Sequence, residues 1–295
     1  MPHQLRFLAM MTPTLPWNEQ LHRYQHIEAL GFDLAGVVDH FVNYTAAASP
    51  WFEGWSILAA LAAQTTRIRL ATWVTQIPLR NPALLARQAL TVDHISNGRL
   101  ELGLGIGVTR DTSCEMMGLP NWSSPERVAR FREYVEIVDR LLCNAVTTYE
   151  GKYYRVSGAA MAPRPVQQPR PPIVIAANGP VMLKRAAELA DNWNSISYAD
   201  ALDEQIAETR ERSHLIDRHC AAIGRDPATL RRSYLFLNSG RLYASTQVFA
   251  DAAQRLIDLG ISEIGIYYPR RSEQLAVFEK IAREAIPMLK AKYVA

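Results

Sequence analysis

The chain has 295 residues, 48% of them apolar, so it can bury a large core. Its 32 Lys and Arg against 29 Asp and Glu leave a formal charge of +3, spread along the chain, and no basic run interleaves with aromatics, so a nucleic-acid surface is not expected. Cys114, Cys143 and Cys220 are too few and too scattered for a disulfide framework or a zinc site. The apolar stretch Phe7–Met11 is too short for a signal peptide and Ile57–Ala63 too short to cross a bilayer, so a cytoplasmic protein without membrane partners is expected.

Taken in chain order, the apolar period switches repeatedly between strand and helix. Arg6–Met11 reads as a strand, followed by a helix through Leu21, Tyr24, Ile27 and Leu30 that stops at Gly31. Phe32–Val38 is the second strand, Trp55–Gln64 a helix and Ile68–Val74 the third strand. Asn81 is placed to cap the next helix, with Pro82 in its first turn, where a missing N–H costs nothing. Arg99–Leu104 is the fourth strand, and Ser124 reads as the cap of a long helix. Thr147–Val156 interrupts the alternation as a hairpin turning at Glu150–Gly151, and the Pro-rich stretch 163–172 leads into strand five, Pro172–Ala176. Helix Val181–Ala190, strand Trp193–Ser197, helix Asp203–Ile223 and strands Ser233–Leu237 and Glu263–Tyr267 complete the series.

Eight such alternations with no break in composition predict an α/β fold, a single (β/α)8 TIM barrel over residues 1–295. Insertions are expected after strands two and four, with the small hairpin before strand five. An open doubly wound sheet is the alternative.

In a barrel, functional residues sit where strands end. That rule selects Asp39 and His40 after strand two, with His40 as a proton-transfer residue and Asp39 orienting it. It also selects Thr72, Trp73 and Val74, and the glycines Gly105 and Gly107, which let a bulky ligand approach the backbone. The stretch 103–107 lacks the G-x-G-x-x-G spacing of a dinucleotide loop. Ala177, Asn178 and Gly179 precede a helix whose first amides form a natural phosphate site. His22 and His26 are expected on a solvated helix face, and no metal site is expected. The chain has five lysines, none at a predicted strand end, which disfavours Schiff-base chemistry, and it has no G-x-S-x-G elbow.

Segments 31–41 (GFDLAGVVDHF), 61–107, 149–156 (YEGKYYRV), 163–180 and 189–194 (LADNWN) together resemble the bacterial luciferase-like family of reduced-FMN monooxygenases and deazaflavin-dependent oxidoreductases. The resemblance implies a coenzyme ring across the C-terminal mouth of the barrel. It also implies a non-proline cis peptide or bulge at Trp73–Val74 behind the ring, and the coenzyme phosphate at Ala177, Asn178 and Gly179. Two departures stand out. Val108 occupies a position that is usually aromatic, with Glu115 displaced by an insertion, and Ala176–Ala177 stand where glycines are usual.

The expected function is therefore oxidoreduction. The first reading is a monooxygenase using reduced FMN, supplied by a separate reductase, and oxygen. The second is coenzyme F420-dependent hydride transfer, and the third a non-catalytic flavin-binding barrel. Tyr44, Trp51, Trp55, Met116, Met117 and Trp122 are expected to line the pocket of a small-molecule substrate with an apolar part. The resemblance further implies a homodimer formed through the helices after strands two and three.

Overall fold

The computed structural model describes residues 3–294. In chain order the strands are β1 (Arg6–Met11), β2 (Leu34–Val37), β3 (Arg69–Thr72), β4 (Thr75–Gln76), β5 (Leu100–Gly105), β6 (Val146–Glu150), β7 (Arg155–Ala160), β8 (Ile173–Ala176), β9 (Asn192–Ser195), β10 (Arg231–Leu235) and β11 (Glu263–Tyr267). The helices include α1 (Trp17–Ala29), α2 (Gly54–Gln64), α3 (Pro82–Ile95), α4 (Ser113–Met116), α5 (Ser124–Cys143), α6 (Pro180–Leu189), α7 (Leu202–Ala222) and α8 (Thr246–Ile257).

The strands pair in the order β3-β2-β1-β11-β10-β9-β8-β5-β4, and β3 pairs again with β5, so the sheet closes as a TIM barrel. β2 and β5 are buried at every residue, because a parallel strand is covered on both faces and carries no polar side to alternate with. β6 and β7 stand apart as an antiparallel hairpin with Glu150 opposite Arg155. The turn is therefore longer than the Glu150–Gly151 bend read from sequence, and the Gly151 N–H bonds the Tyr154 carbonyl at 3.0 Å.

The chain forms two compact units and passes between them four times. The first comprises residues up to Met11, Arg23–Gly36 and the chain from Ile175 onward. Its strands carry a buried polar layer. Glu263 accepts from Asn192 Nδ2 at 2.9 Å and pairs with Arg6, while Ser233 Oγ bonds the Trp193 carbonyl at 3.1 Å and accepts from Asn194 at 3.2 Å. His26, expected on a solvated face, is half-buried, with Nδ1 3.1 Å from the Tyr268 hydroxyl and Nε2 3.4 Å from Glu279. Helix packing claims this imidazole rather than solvent.

The second unit comprises Thr12–His22 and Val37–Val174. Asn81 caps α3 by accepting from the Ala83 N–H at 2.8 Å. At α5 the cap is Ser123, not Ser124. Ser123 keeps extended backbone (ψ 157°) and takes the Glu126 N–H, which leaves Ser124 as the first helical residue. Glu133 of α5 anchors the hairpin turn by accepting the backbone N–H groups of Lys152, Tyr153 and Tyr154 at 2.8–3.2 Å. The Pro-rich lead is pinned by buried Asp93, which takes both the backbone and side-chain N–H of Gln167.

Glu263 is fully buried, and removing its carboxylate breaks its bonds to Arg6 and Asn192. Glu263→Ala is expected to cost about 3–5 kcal/mol, read as a lower urea midpoint at unchanged m-value.

Candidate active site

The second unit gathers a polar cluster just beyond the end of β2. His40 Nδ1 lies 2.6 Å from Asp111 Oδ2 and 2.8 Å from Gln76 Nε2. Gln76 Nε2 also donates to Asp111 Oδ2 at 3.0 Å and to the Asp39 carbonyl at 3.1 Å. An amide has two protons, and those two acceptors use both. The proton between His40 and Asp111 therefore belongs to Nδ1, which leaves Nε2 as the basic nitrogen. Nε2 hydrogen-bonds no described residue, and the imidazole is 17% exposed.

Asp111 is almost fully buried. Burial pushes its carboxyl up, but hydrogen bonds from His40, Gln76 and Ser113 overcome that and hold it well below the usual carboxylate range. The Ser113 N–H reaches Oδ1 at 2.9 Å, and Ser113 Oγ accepts from the Phe41 N–H at 3.2 Å. The loop after β5 thus clamps the loop after β2.

Asp39, the expected partner of His40, faces elsewhere. Neighbouring residues leaving a strand point to opposite sides, so Asp39 and His40 cannot readily share a bond. Both Asp39 oxygens take the Arg80 guanidinium instead, one at 3.1 Å. Arg80 Nη2 also reaches Glu53 at 3.2 Å, and Glu53 caps α2 through the N–H groups of Trp55 and Ser56. Burial works against the charge on Arg80, and Asp39 more than compensates, so this arginine holds its proton more tightly than a free one.

The Trp73–Val74 bond is a non-proline cis peptide, as the resemblance implied. Trp73 is buried, and its indole N–H has no acceptor among the described residues. Thr72 Oγ1 bonds the Gly103 carbonyl at 3.1 Å. A Cβ on Gly103 would lie 2.0 Å from the Thr72 carbonyl oxygen, so no side chain fits there. Gly105 pairs with Gln76 across β4 and β5. Gly107 has φ +72°, and a Cβ on it would meet Gln76 Oε1 at 2.2 Å and Arg127 Nη1 at 2.7 Å. Arg127 is buried and holds the following loop through the carbonyls of Trp122 and Ile106 and the side chain of Asn121.

The expected pocket residues separate into three groups. Tyr44 and Trp51 flank the imidazole, with ring centroids 5.0 and 6.1 Å away, and the Trp51 indole bonds the His40 carbonyl at 2.8 Å. Met116 and Met117 are exposed. Trp55 and Trp122 are otherwise engaged. Trp55 is buried in α2 with its indole on Thr75 at 3.0 Å, and Trp122 stacks under the Arg130 guanidinium at 4.1 Å.

Sequence reasoning passed over Gln76, Arg80, Asp111 and Arg127. Asp111 had one legible signal, an aspartate two residues before a serine, the pattern of a side chain that closes its own turn. Gln76 follows a strand end and fell within the rule that selected Thr72–Val74.

In the first unit, Gly179 stands at the N-cap of α6 and offers no side-chain cap, and the space around its α-carbon is open. The Ala177 N–H bonds the Asn194 carbonyl at 3.1 Å, the Trp193 indole bonds the Ala177 carbonyl at 2.8 Å, and Asn178 Oδ1 accepts from the Ile196 N–H at 3.4 Å. The turn is held from below while its helix amides stay uncapped, an arrangement that fits a phosphate. Among the described residues no group of His, Cys, Asp or Glu has metal-ligand geometry, and no helix is long and apolar enough to cross a membrane.

The profile of the luciferase-like monooxygenase family matches residues 4–247, and the chain belongs to that family. An F420-dependent glucose-6-phosphate dehydrogenase from Intrasporangium calvum is 33% identical over 205 residues, which span 65% of this chain and 60% of that protein. The coenzyme F420-dependent tetrahydromethanopterin reductase of Methanopyrus kandleri superposes with TM-score 0.80 at 19% identity, covering 97% of this chain and 99% of that one. A monooxygenase from Streptomyces bottropensis superposes with TM-score 0.79 at 22% identity over 97% and 100% of the two chains.

Because the Asp111 carboxyl is held low in the folded chain, the stability it provides is complete above its unfolded pKa of about 3.9 and is lost as pH falls towards the lowered folded value. Asp111→Asn should destabilise by about 1–3 kcal/mol at pH 7. The gap from the parent should narrow in urea melts at pH 3.

Proposed function

We propose that this chain is an oxidoreductase that moves hydride between coenzyme F420 and a small-molecule alcohol or carbonyl, with His40 as the proton-transfer residue. The observation that carries the reading is the Asp111–His40 pair, which fixes the proton on Nδ1 and leaves Nε2 as a base. The relatives named for F420-dependent activity support the same branch.

The residues present fit such a coenzyme. The uncapped start of α6 at Gly179 offers amides to its phosphate, with Ala177 and Asn178 shaping the turn. Thr72, Trp73 and Val74, with Gly105 and Gly107, are the residues assigned to the ring, and the unpaired Trp73 indole N–H is a donor still in want of an acceptor. When bound, the coenzyme supplies the hydride acceptor or donor. An alcohol that loses hydride must also lose its hydroxyl proton, and His40 Nε2 accepts it. In the reverse direction the imidazolium returns that proton to the carbonyl oxygen. Asp111 remains ionised throughout and stabilises the imidazolium. Tyr44 and Trp51 shield the ring from water.

The monooxygenase reading, with reduced FMN, oxygen and a separate reductase, draws on the family's description and on the exposed Met116 and Met117 as apolar substrate contacts. Cytoplasmic residence and a homodimer through α2 and α3 belong to either reading. Leu84 and Ile95 of α3 are exposed in the single chain, and a dimeric mass by sedimentation at micromolar concentration is expected; a monomer would sink that assignment.

Anaerobic titration with F420 and, separately, with reduced FMN decides the coenzyme. Preference for F420, with turnover continuing under argon, is the expected result, and preference for reduced FMN moves the chain to the monooxygenase branch. His40→Ala should keep coenzyme affinity and lose about 10²–10⁴-fold in turnover. Unchanged turnover in that variant would leave only a coenzyme-binding barrel.

A further inference from the structure

The first unit contains a cleft, about 380 Å³ in volume, at the carboxyl ends of β10 and β11. That size lies in the range of small-molecule sites, and strand carboxyl ends are where barrels place their ligands. Three guanidiniums line it, those of Arg241, Arg270 and Arg271, and no carboxylate does. Leu237 and Pro269 are the only aliphatic side chains in the lining, the remainder being polar groups, tyrosines and Gly240.

Two of the three arginines have weak competitors for their charge. Arg241 donates to the Asp200 carbonyl at 2.5 Å and pairs at 3.1 Å with its carboxylate, which is 87% exposed, and Arg271 lies 3.7 Å from an exposed Glu273. Such surface pairs contribute little and exchange readily for a better acceptor. Arg270 has no hydrogen-bond or ion-pair partner among the described residues. The floor, by contrast, is built. Ser239 Oγ donates to the Phe236 carbonyl and accepts from the Tyr267 N–H, both at 2.9 Å. The Tyr243 hydroxyl bonds the Tyr267 carbonyl, and Gln274 Nε2 bonds the Gly240 carbonyl at 3.2 Å. A fixed floor beneath exposed cations suits a ligand whose charge engages them.

We propose that this cleft is an oxyanion subsite that takes the phosphoryl or carboxyl head of a small molecule. A planar guanidinium presents paired N–H donors that match two oxygens of either group, and three of them around one cavity favour an anion over any neutral ligand. The site is separate from the α6 turn assigned to the coenzyme, and it stands whether or not that coenzyme assignment does.

The test uses the apoprotein at low ionic strength, titrated with inorganic phosphate and in parallel with acetate, and followed by amide chemical shifts. Saturable shifts at Asn238, Ser239 and Gly240 are expected, with phosphate against acetate telling which head group is preferred. Arg270→Gln and Arg241→Gln should each weaken that binding by about tenfold while leaving the remaining amide spectrum in place. Shifts confined to the start of α6, or no saturation at the cleft with either anion, would overturn the proposal, as would binding at the cleft that survives both substitutions.

Discussion

A single buried carboxylate organises the candidate active site. Asp111 must be charged to hold its bonds, and it can be charged out of water only because His40, Gln76 and Ser113 all donate to it. The same bonds set the histidine tautomer and tie the loop after β5 to the loop after β2. Gln76 cannot shift to relieve them, since the Asp39 carbonyl takes its other proton and Gly107 packs against its Oε1 with no room for a side chain. Geometry and protonation are therefore one constraint seen from two sides.

A second ionic cluster acts at one remove. Asp39, Arg80 and Glu53 join the end of β2 to the segment before α3 and to the cap of α2. The Tyr134 hydroxyl adds a bond to the Arg80 carbonyl at 3.1 Å, bringing α5 into the same frame. None of these groups needs to touch a substrate to matter, because they fix the backbone from which His40 projects. Asp39 thus serves His40 through the main chain, not through the side-chain contact that adjacency in sequence suggests.

The fold was legible because its signals are local. Arg6–Met11 and Glu263–Tyr267 match the strands residue for residue, and Asn81–Pro82 marks a helix start by its own chemistry. The cap at α5 was misplaced by one residue because two serines precede Pro125 and only backbone conformation separates them. The site was half legible. His40 and Trp73–Val74 could be placed from strand ends and family resemblance, but the partner of His40 lies 71 residues further on, inside an insertion that no local pattern anchors. Trp55 and Trp122 show the opposite failure, since aromatic loop residues look alike whether they line a pocket or fill a seam.

Five of the 32 basic residues are lysine, and the structure shows how the arginines are used. Arg99 reaches the carbonyls of Ala62, Thr65, Ile68 and Ser96, Arg127 gathers the loop beyond Gly107, and Arg80 binds two carboxylates at once. A forked cation with five donors can staple several strands of backbone at a point, which an ammonium on a flexible stem does poorly. Of these three, Arg127 is buried and Arg80 and Arg99 are half-buried. Arg270 differs: it is exposed, stands at a strand end, lines a cleft and has no hydrogen-bond or ion-pair partner among the described residues. A guanidinium that holds no backbone, on a cleft that no carboxylate lines, is a group an anion can engage without breaking any bond of the fold.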